Sequence, residues 1–462
     1  MEPQHLRFGG GTSETVVNPL ILLVVLAMGV LTLILPRNKI TAPFLAVLIL
    51  IPMDQVLVIG GLHFPMLRFL ALFGFVKLVR EKSAGTRVFS GGINRIDLAV
   101  ISFAIVTGFA GVLLFQNSGA LIYQLGNVYT IFGLYFLMRY LVRDKADLIC
   151  MLRSLAVVAM LVAIAMGWEV STGRNPYALL GGALATKYTG TTVRAGRFRA
   201  SGCFEHSILA GTFGAILIPL FVALWQSGPK NHRLAIVGII SATVITITSN
   251  SSTPILAYAA GVLALCLWPV RNWMQAMRWA VVITIVSLHL VMKAPVWNLI
   301  ARIDVSGQAS SYHRFMLIDQ CIRHFSDWWL IGVKTTYEWG WDMWDTANQY
   351  VSICDKSGLL SFILFLAIIV YGFKYIGKAR RAAPTLAQQK FLWALGAALF
   401  ANVVAFVGIS YTDQTQVVWY GLLAAISAAA VAHTKSKSDS IVRRVQCEMP
   451  NPITERVPLG YL

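Results

Sequence analysis

The sequence predicts an all-α, polytopic integral membrane protein of about 12–13 transmembrane helices, with two long extracytoplasmic loops. Three observations predict it. Hydrophobic residues fill 57% of the 462 positions and charged residues only 13%, where a soluble domain carries about a quarter charged residues. Mean hydropathy is +0.68, and the apolar residues fall in runs near the ~20 residues that cross a bilayer core. Lys and Arg gather in short loops between alternate runs.

The runs read in order as 18–36, 40–59, 64–79, 96–115, 120–142, 148–168, 206–226, 234–248, 254–270, 278–292, 357–376, 391–410 and 417–433. No cleaved signal peptide is expected, because the first run has no basic region directly before it and no small-residue cleavage site after it.

Orientation follows from the basic loops. They hold Arg80, Lys82, Arg87 and Arg95; Arg139, Arg143 and Lys145; Lys230 and Arg233; Arg271 and Arg278; Lys378, Arg380 and Arg381; and the tail residues Lys435, Lys437, Arg443 and Arg444. They alternate correctly if all are cytoplasmic. The net charge of +18 is therefore mostly a topology signal, and no nucleic-acid module accompanies it. Arg37 and Lys39 draw the end of the first helix inside, which puts the N-terminus outside. A re-entrant first helix would instead put both termini inside.

This divides the chain into N-terminal transmembrane helices (1–168), a first extracytoplasmic loop (169–205) and central transmembrane helices (206–292). A large extracytoplasmic loop expected to carry catalysis (293–355), C-terminal transmembrane helices (356–433) and a cytoplasmic tail (434–462) follow. Long loops in a compact membrane protein are usually functional. Of the six cysteines, Cys203, Cys321 and Cys354 fall on the outer, oxidising side. Their spacing is not that of a metal site; they read as buried thiols, with a disulfide as the alternative. No Walker loop or dinucleotide fingerprint is present, so energy from ATP is not indicated.

In the first outer loop, R-A-G-R-F-R-A-S-G-C-F-E-H-S-I-L-A-G runs straight into a membrane helix. A cation just outside a helix N-terminus makes an anion site together with the unsatisfied N–H groups, and Arg199 holds that position. Arg194 and Arg197 read as headgroup contacts or solvated charge. Glu205 and His206 stand at the helix start, where His206 reads as a cap or as a base.

In the second outer segment, Ser311 to Phe325 predicts an amphipathic helix with Phe315, Ile318, Ile322 and Phe325 as its apolar stripe, capped by Ser310 or Ser311. Asp319 and Arg323 form a favourable i, i+4 pair, which accounts for Arg323 and leaves Arg314 as a second candidate anion-binding cation. Further on stand Trp328, Trp329, Tyr337, Trp339, Trp341, Trp344 and Tyr350, with Glu338, Asp342 and Asp345 among them. The aromatics read as stacking surfaces or as an interfacial belt. Asp54, Arg68 and Arg153 lie at segment ends, where snorkelling or an Asp54–Arg68 pair explains them.

Asp345 to Gly358, D-T-A-N-Q-Y-V-S-I-C-D-K-S-G, leads into the apolar run Leu359 to Tyr371. It resembles a motif of the O-antigen ligase and polymerase superfamily: a His, then Asn, Ser or Gln, then Leu, then a Gly. Asn348 and Gly358 fall in step, Val351 takes the Leu place, and Ala347 takes the His place. Gly202, Phe204, His206 and Gly211 match the superfamily's loop pattern, with Arg199 at its loop arginine. Arg314 followed by I-G-V at Ile331 to Val333 matches its next landmark. Where many members carry Ser-Arg after the helix that corresponds to 234–248, this chain has S-N-S-S-T-P, Ser249 to Pro254. The resemblance covers roughly 199–376.

The resemblance implies a glycosyltransferase of the bacterial inner membrane with its site facing the periplasm. Its donor would be an undecaprenyl-pyrophosphate-linked glycan, and it would use no cofactor, metal or nucleotide. Arg199 and Arg314 would bind the pyrophosphate. Asn348 and His206 would be catalytic, with Asp345, the carboxylate nearest in sequence to the place that Ala347 fills, as the base for the acceptor hydroxyl; the aromatic faces of Trp341, Trp344 and Tyr350 would stack on the glycan. The implied partners are the lipid bilayer and a chain-length regulator protein, not nucleic acid. Ala347 in the His place points to a polymerase of O-antigen or exopolysaccharide repeat units. The alternative is a ligase with a lipid A–core acceptor, and the alternative from another class is a flippase or permease.

Overall fold

The computed structural model describes residues 15–52, 55–60, 62–86, 88–181, 192–194, 196–302 and 310–430. Asp54, Arg87 and the tail 434–462 lie outside them, as does the side chain of Arg194. The described chain is helical with two short hairpins. Its main helices are α1 (Pro19–Ile34), α2 (Arg37–Leu50), α3 (Met66–Ser83), α4 (Arg95–Phe115), α5 (Ser118–Leu141), α6 (Lys145–Thr172), α7 (Ser207–Gln226), α8 (His232–Thr248), α9 (Ser252–Cys266), α10 (Met274–Val291), α11 (Ser310–Arg323), α12 (Gln349–Ala382), α13 (Leu386–Ala405) and α14 (Thr415–Ala430). Among the described residues seven helices are long and apolar enough to cross a membrane: α4, α5, α6, α7, α8 and α10 with the short turns before them, and α12. The helices α1, α9 and α14 are apolar but shorter.

Helix ends follow local chemistry. The Asn94 side chain accepts from the first-turn amides of α4 while Asp97 reaches back to the Asn94 N–H, a reciprocal cap. Asn117 and Asp144 cap α5 and α6. The helix α6 stops at Gly173, whose φ of +70° suits a residue without Cβ.

Two expected spans are corrected. The run 40–59 is helical only to Leu50. It then turns into a hairpin of β1 (Val56–Ile59) and β2 (Leu62–Pro65), and the run 64–79 becomes helical only from Met66. Pro52 ends the helix, and V-L-V-I before a glycine turn prefers an extended pair. The stripe expected on 311–325 is also displaced. Ser311, Arg314, Leu317, Asp319 and Cys321 are the buried positions, Phe315 and Ile318 are half-buried, and Ile322 and Phe325 are exposed.

The most enclosed helix is α7, which packs against α8, α9 and α13. Glycine permits the close approach: a Cβ on Gly214 would lie 2.6 Å from the Ala242 carbonyl oxygen of α8. Charged residues of the expected cytoplasmic loops gather at one end. Arg37 pairs with Asp147, Arg143 with Glu81 at 3.3 Å, and Arg139 with Asp97 at 3.0 Å. The last pair is fully buried and also holds the Tyr135 hydroxyl. The 28 residues of α6, about 42 Å of helix, run from this end to the opposite one, where the two expected outer segments meet.

Candidate functional site

Two arginines from distant parts of the chain end on neighbouring serines. Arg199 closes β4 (Arg197–Arg199), which pairs with β3 (Thr192–Arg194), and its Nη2 donates to Ser251 Oγ at 2.8 Å. Arg314 lies on the inward face of α11 and its Nη1 donates to Ser252 Oγ at 3.3 Å. Both serines are buried, as is Arg314. They belong to S-N-S-S-T-P, the turn between α8 and α9.

That turn is built to present hydroxyls. Asn250 takes a φ of +45°, which Asn tolerates better than most residues, and reverses the chain. Ser251 Oγ bonds back to the Ser249 carbonyl at 2.9 Å, and Ser251 makes no side-chain cap on α9. Pro254 in the first turn of α9 contributes no N–H. The start of α9 therefore brings a helix N-terminus to the two guanidinium groups, a combination suited to an anion.

The loop 196–206 is fixed from several sides. Ala200 N–H donates to the Thr248 carbonyl at the end of α8. The carboxylate of Glu169, buried at the end of α6, accepts from Ser201 N–H at 3.1 Å and from Gly202 N–H at 2.8 Å. Gly202 has a φ of +56°. Phe204 is buried with its ring 4.9 Å from that of Phe213. A Cβ on Gly211 would lie 2.2 Å from Ser249 Oγ, so the small residue lets the serine turn rest on α7. Gln414 spans the back of the loop, donating to the carbonyls of Cys203 and Ile51. Asp413 is fully buried and accepts from Thr415 N–H, Thr415 Oγ1 and Glu205 N–H. Burial pushes its carboxyl up to about 7 against the opposing hydrogen bonds from Thr415.

The segment 310–348 is joined to the same place. Gly408, in the turn after α13, accepts at its carbonyl from Thr253 Oγ1, and a Cβ there would lie 3.1 Å from Arg314 Nε. The same turn holds the expected catalytic motif: Asn348 Nδ2 donates to the Val407 carbonyl, Gln349 N–H to the Phe406 carbonyl, and Ser410 Oγ to the Thr346 carbonyl.

The structure thus brings Arg199 and Arg314 together. Three other expected residues make packing or capping contacts. Asn348 is buried; its Oδ1 accepts from the N–H groups of Tyr350 and Val351 and caps α12, so both ends of its amide serve the fold. His206 is exposed at the N-cap of α7, where its Nδ1 accepts from Ile208 N–H. Tyr350 turns inward among Phe362, Phe365 and Phe406, with its hydroxyl on the Val403 carbonyl. By contrast Trp341 and Trp344 are 92% and 61% exposed, and Asp345 is exposed beside them. Arg68 donates to the His63 carbonyl and to Thr130, and Arg153 to Asn231, which settles both as structural contacts.

Five contributors were not read from the sequence. Ser251 and Ser252 had a visible signal, a run of hydroxyl residues between two apolar segments. Glu169 and Asp413 had none, since each is a single carboxylate at a helix end. His313 was hidden beside Arg314; its Nε2 lies 3.0 Å from the Asp345 carbonyl oxygen. A carbonyl only accepts, so Nε2–H is the donor, and in the neutral ring Nδ1 carries the lone pair.

No known family model matches the chain, and no curated protein sequence matches it.

Proposed function

We propose that this chain is a multi-pass glycosyltransferase of the bacterial inner membrane that polymerises repeat units carried on undecaprenyl pyrophosphate, with its site facing the periplasm. The convergence of Arg199 and Arg314 on Ser251 and Ser252, at the start of α9, carries this reading. The seven apolar helices support membrane embedding. The ion pairs at the basic end, opposite the arginines, support the orientation.

The chemistry follows from the leaving group. The acceptor hydroxyl oxygen bonds to the anomeric carbon while the bond from that carbon to the phosphate oxygen breaks. The electron pair leaves on the pyrophosphate. Guanidinium forks suit that charge because they stay protonated and donate in pairs, and such preorganised donors are usually the largest contribution to catalysis. The acceptor proton goes to a base at the 345–348 turn. Asp345 remains a candidate by position, and the Nδ1 lone pair of His313 adds a second. The exposed rings of Trp341 and Trp344 give flat faces for sugars.

His313 also favours a second reading within the same class, a ligase. An imidazole stands at the turn where the resemblance puts Ala347 in the His place. A carrier is disfavoured, because the fully buried ion pair among the described residues, Arg139–Asp97, lies at the end of the bundle rather than midway along it.

A deletion strain separates the three. Single repeat units accumulating on the lipid carrier support the polymerase. Long polymer on the carrier with none on the lipid A–core supports the ligase. Repeat units trapped on the cytoplasmic face support a flippase and exclude both.

A further inference from the structure

Beneath the aromatic strip lies a small separate core of Leu317, Cys321, Trp328, Trp339, Met343, Val351 and Cys354. It joins α11 to the first turns of α12. Cys321 and Cys354 are both buried, both free thiols here, and both part of this one core. Their surroundings are held on each side. Trp328 Nε1 donates to the Cys321 carbonyl at 2.7 Å, and Val333 N–H donates to the carbonyl of Asp355, next to Cys354, at 2.6 Å. Among the described cysteines these are the two that share a core, and a disulfide requires its two residues to be neighbours across such a contact.

We propose that Cys321 and Cys354 form a disulfide in the mature protein. It would close the segment that carries the I-G-V turn, Trp341, Trp344, Asp345 and Asn348, and fasten it to the helix that carries Arg314. The oxidant is the disulfide of an extracytoplasmic thiol–disulfide oxidase, acting before the core closes. One cysteine thiolate attacks the oxidase disulfide to give a mixed disulfide. The second thiolate displaces the oxidase, which leaves as its dithiol with the two electrons and two protons. The proposal rests on the outer placement of 293–355 put forward above, since oxidising compartments are where such bonds persist.

The test uses the full chain in intact cells. Thiols are quenched with acid and alkylated with N-ethylmaleimide, and the protein is digested with trypsin without reduction. Cleavage after Arg314, Arg323, Lys334 and Lys356 isolates Cys321 in peptide 315–323 and Cys354 in peptide 335–356. The expected result is the linked pair, lost on reduction, with Cys321→Ser leaving Cys354 alkylated. Alkylation of both peptides in the wild type, with no linked pair, overturns the proposal. Labelling of Thr335→Cys by an impermeant maleimide then shows which premise failed. Labelling from outside leaves the orientation standing and removes the disulfide alone, whereas labelling only after permeabilisation removes both.

Discussion

A side chain on either Gly332 or Gly358 would run into the backbone of the other's turn. A Cβ on Gly332 would lie 2.4 Å from the Asp355 carbonyl oxygen, and one on Gly358 would lie 2.5 Å from the Leu330 carbonyl oxygen. Their φ angles are +93° and +78°. Leu359 N–H closes the crossing on the Trp329 carbonyl at 2.9 Å. The I-G-V turn and the motif glycine, far apart in sequence, are therefore one interlocked feature. Gly332→Ala and Gly358→Ala should each destabilise the protein by at least about 1–3 kcal/mol from backbone strain. Thermal unfolding in detergent measures this, and unchanged midpoints would remove the interlock.

Glu169 governs the loop two residues from Arg199. Glu169→Gln replaces one acceptor oxygen by a donor facing the N–H groups of Ser201 and Gly202. A loss of about 1–3 kcal/mol is expected for the buried polar groups left unsatisfied. Unfolding temperature and polymer yield should fall together. A variant that keeps both would show that the loop is held by its other contacts.

The helices were legible in the sequence because burial in lipid and in protein both demand long apolar runs. The anchors of the arginines were not, because hydrogen bonds such as Arg199–Ser251 and Arg314–Ser252 depend on how loops dock, which leaves no period in the chain. The hairpin at 56–65 was lost for a related reason: β-branched residues beside a helix extend its apolar run without sharing its conformation. The displaced stripe of α11 has a clear cause. Arg314 finds a buried partner in Ser252, so the helix turns that face inward and leaves Ile322 and Phe325 outside. The aligned pattern did mark Gly358 and Asn348, and the structure assigns both to shaping the turn.

Asp413 predicts a pH dependence. Its folded-state pKa of about 7 lies above the ordinary 3.8, so the folded protein favours the neutral carboxyl. The stabilisation it gives is full below about 3.8 and is lost as pH rises through about 7. Asp413→Asn should flatten the fall in unfolding temperature between those values. An equal slope in wild type and variant would assign the pH dependence elsewhere.

Topology is open to labelling. With Ser171→Cys and Thr335→Cys, an impermeant maleimide should label both in intact cells, because both positions are exposed at the end of the bundle opposite the basic loops. Labelling only after permeabilisation would place the arginine site in the cytoplasm.

Arg199→Lys and Arg314→Lys, assayed in membranes with a prenyl-pyrophosphate oligosaccharide as substrate and products resolved by length, test the paired-arginine site most directly. Lysine keeps the charge and removes the fork. The expected result is a loss of transfer of about a hundredfold or more in each variant, with unfolding temperatures near that of the wild type. Products of normal length and rate from both variants would contradict a pyrophosphate site built on Arg199 and Arg314.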